Sequence, residues 1–343
     1  MYSAADHWKM MADHVRGDAY EEALRRSVKP GVTVLDIGTG TGIFALLACV
    51  FGAGRVYAIE YDDSIQVAKS LAASNGLAGR IEFIQGFSTD VTLPERVDVI
   101  VSDLRGVLPL HGRHLPSIED ARRRFLAPGG VLIPQRDMIW AAPVEAPELY
   151  HQLVAPWERD PHGLDFETAR LLAANRWSKV RLRSQELLAP PQLWTTLEYE
   201  QVESPDVSGE LTFVVARPGT AHGWCVWFDS TVIEGVSFSS APGAPELIYG
   251  NGFFPLLHPV QLAAGDHVSL TLSANLVGGD YVWRWATRLY GESEDGKPRA
   301  EFLQSNFIGA SISSSTLRRG SLAPSVAGGE GRARQADPPP GEP

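Results

Sequence analysis

A chain of 343 residues that is 44% hydrophobic and 21% charged carries enough apolar material for two sizeable cores, and its formal net charge of −11 argues against bulk electrostatic binding to nucleic acid. Cys49 and Cys225 sit in apolar contexts without metal-ligand spacing, so they read as buried free thiols in a reducing compartment, and no metal site is expected. Met1 leads into a polar, charged segment rather than a secretory signal, and no apolar run approaches the roughly 18 residues of a membrane span. The expectation is a soluble, cytoplasmic protein with neither a nucleic acid nor a membrane as partner.

Residues 2–29 carry His7, Met10, Met11, Val15, Tyr20 and Leu24 at helical spacings, which predicts one or two helices, divided at Gly17-Asp18 with Asp18 as an N-cap. The stretch that organises the rest is Val32–Ile43, V-T-V-L-D-I-G-T-G-T-G-I. An apolar, β-branched run ends in Gly38, Gly40 and Gly42 and is followed by an apolar run to Cys49. This reads as strand, tight turn and helix, with glycines that let a ligand lie against the main chain. A second strand, Val56–Ile59, closes on Glu60, an acid able to accept both ribose hydroxyls of a nucleoside cofactor. Gly40-Thr41-Gly42-Ile43-Phe44-Ala45 also satisfies the loose dinucleotide fingerprint, so NAD stands as an alternative ligand. Asp36, two residues before the first glycine, and the G-x-G-x-G spacing favour S-adenosyl-L-methionine, because Asp36 is placed to hold the cofactor's methionine part.

Further along, strands are predicted at Ile81–Gln85, Val97–Ser102 and Val131–Pro134, and helices at Ser64–Ser74, stopped by Asn75-Gly76, and at Ser117–Phe125. Strands alternating with helices imply an α/β fold with a doubly wound parallel sheet, whose ligand lies at the carboxyl ends of the strands. Asp36, Glu60 and Asp103 all fall at such ends, and Ser88 and Thr89 follow the third strand as further cofactor contacts. After residue 135 the pattern becomes all-β, with strands at Met138–Val144, Leu197–Val202, Leu211–Ala216, Trp224–Phe228, Val268–Ala274 and Tyr281–Tyr290, as in a barrel or sandwich. A polar insert near Pro156–Lys179 reads either as a helical excursion over one end of the barrel or as an arm for a second subunit. Residues 311–343 are Ser/Gly/Pro/Arg-rich and read as a disordered tail.

These motifs together resemble the protein arginine methyltransferase family over residues 3–307. His7-x-x-Met10-Met11-x-Asp13-x-x-Arg16 is similar to the family helix in which a Met packs near the sulfonium and an Arg grips the cofactor carboxylate. V-L-D-I-G-T-G-T-G-I, Glu60, and Leu126-x-Pro128-Gly129-Gly130-x-Leu132-x-Pro134 resemble its cofactor motifs, and Phe238-Ser239-Ser240-Ala241-Pro242 resembles a barrel motif. The resemblance implies N-terminal helices over the cofactor site (1–30), an S-adenosylmethionine-binding Rossmann-like domain (31–135) and a β-barrel domain (136–308). It also implies a homodimer, with the insert near 160–180 as its arm. The implied cofactor contacts are Met10, Arg16, Asp36, Gly38, Gly40, Gly42, Glu60, Ser88 and Thr89.

The acceptor loop departs from the family. Its S-E-x-M-G-x-x-x-x-x-E, whose two glutamates clamp a guanidinium, reads here Ser102-Asp103-Leu104-Arg105-Gly106, with Gly112 in place of the second acid. The T-H-W loop reads Leu247-Ile248-Tyr249, which leaves Asp13 without its usual His partner, and of the N-terminal aromatic segment only Tyr2 remains. One carboxylate now stands beside Arg105, His111, Arg113 and His114, which disfavours a guanidinium and admits an anionic or neutral acceptor. Asp103, Arg105 and His111 are therefore the candidate catalytic residues, His111 as base and Arg105 as orienter of an anionic acceptor, with Tyr2 and Tyr249 as acceptor contacts. Three readings follow: a methyltransferase acting on a non-arginine acceptor by O- or N-methylation, an arginine methyltransferase with a modified clamp using an acid such as Glu119, and an inactive cofactor-binding dimeric module.

Overall fold

The computed structural model describes residues 4–158, 163–290 and 298–309, so the tail at 311–343, Tyr2 and part of the expected arm lie outside the described residues. The chain opens with α1 (Ala4–Met11) and α2 (His14–Ser27). The break between them falls at Asp13 rather than at Gly17-Asp18. Asp13 has the non-helical backbone of an N-cap, and its Oδ1 accepts the Arg16 N–H at 3.1 Å. Gly17 simply continues the helical ladder by donating to the Asp13 carbonyl at 2.8 Å.

The alternating segment follows as β1 (Thr33–Ile37), α3 (Ile43–Val50), β2 (Arg55–Glu60), α4 (Ile65–Ser74), β3 (Ile81–Gln85), β4 (Val97–Ser102), α5 (His114–Arg124) and β5 (Leu126–Ile133). Its strands form a five-stranded parallel sheet in the order β3-β2-β1-β4-β5, the doubly wound α/β architecture expected. The order reverses at β1, which lies between β2 and β4, and a crevice opens there at the carboxyl ends. Register brings the ends together, with Ile37 beside both Ile59 and Ser102, so the glycine loop, Glu60 and Asp103 share one edge.

The remaining chain is β6 (Arg136–Val144), α6 (Pro147–Leu153), α7 (Glu167–Ala174), β7 (Ser178–Val180), β8 (Gln192–Glu198), β9 (Val207–Val214), β10 (Gly219–Ile233), β11 (Val236–Ser239), β12 (Asn251–Leu262), β13 (His267–Val277), β14 (Asp280–Tyr290), β15 (Ala300–Ser305) and α8 (Asn306–Gly309). Two antiparallel sheets form a barrel-like body: β7-β12-β10-β6-β8, with β11 on β10, and β15-β14-β13-β9. The inner faces meet over Phe213, Trp224, Phe254, Trp283 and Trp285, all buried. Each such ring removes roughly 150–250 Å² from water, worth about 4–6 kcal/mol for the largest. The indoles keep their polar ends satisfied, Trp224 donating to Thr287 Oγ1 at 2.8 Å and Trp285 to the Pro255 carbonyl at 3.0 Å.

The sequence pattern misses β12, because Pro255 and Pro259 break up the donor run that a strand ordinarily needs. It survives because the register with β10 shifts between Ala221 and Gly223 and so accommodates Pro255. The insert is partly helical as expected, but it begins earlier, at Pro147, and its end Ser178–Val180 pairs with β12 as a strand. Among the described residues no helix is long and apolar enough to cross a membrane.

Candidate functional site: a crevice at the carboxyl ends of the parallel sheet

At the β1 end the main chain leaves the strand through glycines in the left-handed region. Gly38 has φ +71° and Gly42 φ +88°, and a Cβ at Gly42 would lie 2.8 Å from the Ala68 Cβ. Only glycine satisfies both the turn and this close approach of α4. Asp36, buried at the end of β1, ties the loop down, its Oδ2 accepting from Thr39 Oγ1 at 2.5 Å and from the Ala45 N–H at 3.1 Å. Its Oδ1 is buried with no partner among the described residues, and burial pushes its carboxyl up to about 7. Glu60 accepts the Gly40 N–H at 2.9 Å with one oxygen and the Asp62 N–H at 3.0 Å with the other. Each oxygen retains a lone pair for a further donor, as a ribose diol requires.

Arg16 closes the same crevice from α2. Its Nη1 donates to Asp103 Oδ2 at 2.6 Å and its Nη2 to the Met10 carbonyl at 2.7 Å, while Nε is buried without a partner among the described residues. Burial alone would lower this guanidinium, and Asp103 together with Tyr249 and Tyr20 outweighs it and holds Arg16 well above its ordinary range. A glycine cradle, a diol-accepting acid, an orphaned carboxylate oxygen and an orphaned guanidinium N–H fit a ligand carrying both a nucleoside and an amino acid. Met11, next to Met10, reaches the loop, its sulfur accepting from Thr41 Oγ1 at 3.8 Å. Ser88 is buried, with its carbonyl accepting from Arg124, and Thr89 donates to Asp90. These bonds hold the turn after β3, which borders the crevice.

Asp103 is the hinge of a buried network that sequence spacing does not reveal. Besides Arg16 it accepts from Arg105 Nε at 3.1 Å and, with its two oxygens, from the Tyr249 hydroxyl at 2.8 and 2.7 Å. Burial pushes its carboxyl up, but Arg105 and Arg16 outweigh that and keep it below the usual carboxylate range. Arg105 in turn pairs with Asp137 on β6, Nη1 to Oδ1 at 2.9 Å, and donates to Ser230 Oγ at 2.7 Å and to the Tyr20 hydroxyl. Its guanidinium lies 5.3–5.7 Å from the ring centres of Tyr20, Phe228, Phe238 and Tyr249, and its side chain is 0% exposed. Asp137 also accepts from Tyr199, whose hydroxyl meets His114 Nε2 at 3.0 Å. Because that hydroxyl donates to Asp137, His114 carries its proton on Nε2. Burial drives its imidazole down to about 3.

The expectations for Arg105, Tyr249, Arg113 and Asp13 are corrected here. Arg105 cannot orient an acceptor, since every face of its guanidinium is enclosed by carboxylate, hydroxyl or ring. Tyr249 does not present itself to an acceptor, being 5% exposed with its hydroxyl given to Asp103. His111 makes no hydrogen bond to Asp103 among the described residues. It is exposed, its ring crowds Gly106, and burial of part of the imidazole lowers its pKa against the pull of Asp280. Arg113 leaves the acid altogether and lies 5.4 Å over the Phe87 ring, which stacks on Tyr61 at 5.1 Å. Asp13 does have a partner, its Oδ2 accepting the Ile248 N–H at 2.7 Å, so a main-chain donor substitutes for the missing imidazole. Gly112 has φ +47° with open space around it and contributes no second acid. Tyr20, Asp137, Tyr199 and Ser230 carried no sequence signal, for nothing local marks an acid or hydroxyl whose partner lies on another sheet.

A family model described as Ribosomal protein L11 methyltransferase (PrmA) matches residues 19–133. The Probable protein arginine N-methyltransferase 6 of Arabidopsis thaliana is 30% identical over 248 residues, which cover 70% of this chain and 55% of the relative, so the chain spans little more than half that protein's length. Protein arginine N-methyltransferase 6 of Xenopus tropicalis is 31% identical over 282 residues, covering 78% of this chain and 83% of its own. A chain of the solved Trypanosoma brucei PRMT1 enzyme-prozyme heterotetrameric complex with AdoHcy superposes with a TM-score of 0.78 at 19% identity, over 87% of this chain and 97% of that one, a likeness of fold. Parallel sheet, glycine crevice and barrel-like body thus occur in one order along a chain alignable with most of the Xenopus protein, and this chain belongs to the protein arginine N-methyltransferase family.

Proposed function

We propose that this chain is an S-adenosylmethionine-dependent methyltransferase whose acceptor is not a guanidinium. The observation that carries the cofactor assignment is a pair of buried atoms with no partner among the described residues, Arg16 Nε on α2 and Asp36 Oδ1 at the end of β1. A dinucleotide would bring a pyrophosphate, for which an orphaned carboxylate oxygen is repulsive. A methionine moiety brings a carboxylate for Arg16 and an ammonium for Asp36. Bound there, S-adenosylmethionine supplies an activated methyl group on its sulfonium. Glu60 would hold the ribose and Arg16 the carboxylate, with Met11 at the end of α1 against Thr41 of the glycine loop, so the residues would work by alignment and proximity, effects worth up to roughly 7–11 kcal/mol.

The acceptor approaches past Asp103, whose side chain is 11% exposed. A carboxylate held below its usual range is a weak base, ill suited to taking a proton from an acceptor. A guanidinium arrives charged and must lose a proton, whereas a carboxylate acceptor needs no base at all. A carboxylate is therefore the first acceptor class to test, followed by a phenol or a heterocyclic nitrogen, on a peptide or a small molecule. The names of the relatives support the competing reading, methylation of arginine. Incubation with labelled cofactor and parallel panels of arginine-rich and carboxylate-bearing peptides decides between them, and strong labelling at arginine sinks our reading. Binding of S-adenosylhomocysteine with no transfer to any acceptor indicates an inactive binding module.

We infer, further, a homodimer joined through the insert, which leaves Trp157, Leu164 and Leu172 exposed at 43%, 57% and 44%. Leu164→Asp with Leu172→Asp should convert a sedimenting dimer to monomer; an unchanged sedimentation coefficient, or a monomeric wild type, removes this inference.

A further inference from the structure

We propose that Arg105 is the residue that decides acceptor class: a resident guanidinium that takes up the carboxylate and aromatic surfaces with which an incoming cation would otherwise be held. The proposal rests on the methyltransferase reading only for where the acceptor lies, beside Asp103 at the carboxyl end of β4, next to the glycine loop across the register of β1 and β4.

Asp103 is the acid through which this end of the crevice would hold a cation. Its oxygens already accept from Arg16, Arg105 and Tyr249. Behind it, four aromatic rings form the kind of cage that attracts a cation, and Arg105 fills it. The occupant is locked from the barrel side by Asp137, which Tyr199 also grips, so it cannot swing out without stranding a fully buried acid. Across the cluster, Arg16 and Arg105 balance Asp103 and Asp137. A neutral or anionic acceptor meets no penalty there, while a cation meets a crevice that has no uncompensated negative charge. A unit charge within roughly 10 Å at an effective dielectric near 20 changes affinity on the order of tenfold.

The test is binding of fluorescent peptides, one bearing arginine and one bearing glutamate, by anisotropy in the presence of saturating S-adenosylhomocysteine. The proteins are wild type, Arg105→Lys, Arg105→Met and Arg105→Met with Asp137→Asn. Arg105→Met should gain about tenfold for the arginine peptide and lose affinity for the glutamate peptide, while Arg105→Lys, which keeps the charge, should leave the order of preference unchanged. Should Arg105→Met fail to fold around its stranded acid, the double variant removes both charges and leaves the cluster's net charge as in wild type, so a smaller gain for the arginine peptide is expected, arising from the Asp103 oxygen that Arg105 Nε no longer occupies. The proposal is overturned if a folded Arg105→Met or double variant binds the arginine peptide no better than wild type, or if Arg105→Lys changes preference as Arg105→Met does. Failure of the methyltransferase reading looks different: wild type then shows no heat of S-adenosylhomocysteine binding, while the peptide comparison can still be made.

Discussion

Replacing Asp137 by Ala should cost this fold about 3–4 kcal/mol, a large effect for one polar side chain. Asp137 on β6 and Arg105 in the loop after β4 are both fully buried, and their ion pair is a weld between the parallel sheet and the barrel-like body. Removing one member of a buried pair costs about 3–5 kcal/mol, because the remaining charge has been desolvated without recompense. Two features set the value toward the lower end. Arg105 keeps Asp103, Ser230 and Tyr20 as acceptors, and Tyr199, having lost Asp137, can donate to His114 once that imidazole shifts its proton to the unpartnered Nδ1. Urea unfolding followed by the fluorescence of the buried Trp224, Trp283 and Trp285 reads the loss directly. The paired variant Arg105→Met with Asp137→Ala should lose less than Asp137→Ala alone, since no orphaned charge remains. A loss below about 1 kcal/mol for Asp137→Ala, or additive losses in the pair, refutes the reasoning.

Glu60→Ala should weaken S-adenosylhomocysteine binding at least about 100-fold by calorimetry, since two hydrogen bonds to a charged group are worth roughly 1.5–3 kcal/mol each; an unchanged affinity means the ribose lies elsewhere. Tyr249→Phe removes the hydroxyl that holds both Asp103 oxygens and, through them, Arg16, so cofactor affinity should fall about 5- to 10-fold with little change in unfolding midpoint. Asp36 binds its proton up to about pH 7 in the folded chain and only to about 3.8 in the unfolded one, so the stability this proton contributes is full below about 3.8, declines as pH rises and is gone above about 7. The size is on the order of 4 kcal/mol. Asp36→Asn should abolish that slope and be relatively more stable at pH 8 than at pH 5 in urea titrations without cofactor, and parallel pH curves for the two proteins count against the buried carboxyl.

What the sequence determined by itself was local. Val32–Ile43 forms strand, turn and helix because its β-branched run, its glycines and the following apolar run each favour that element within a few residues. Glu60 falls at the end of the next strand by the same short-range logic, and the register of β1 with β2 and β4 carries both into one crevice. Tertiary structure decided the electrostatics of the acceptor end. Arg105 reads in sequence as a free cation in a loop, yet its partners Tyr20, Asp137 and Ser230 lie on α2, β6 and β10, and only their convergence turns it from an exposed charge into a filled cage. The same holds for Asp13, whose missing imidazole partner is replaced by a main-chain N–H that no residue identity could disclose. Propensity and spacing act over one or two turns of chain, whereas the balance of a buried charge is set by whichever groups surround it in space.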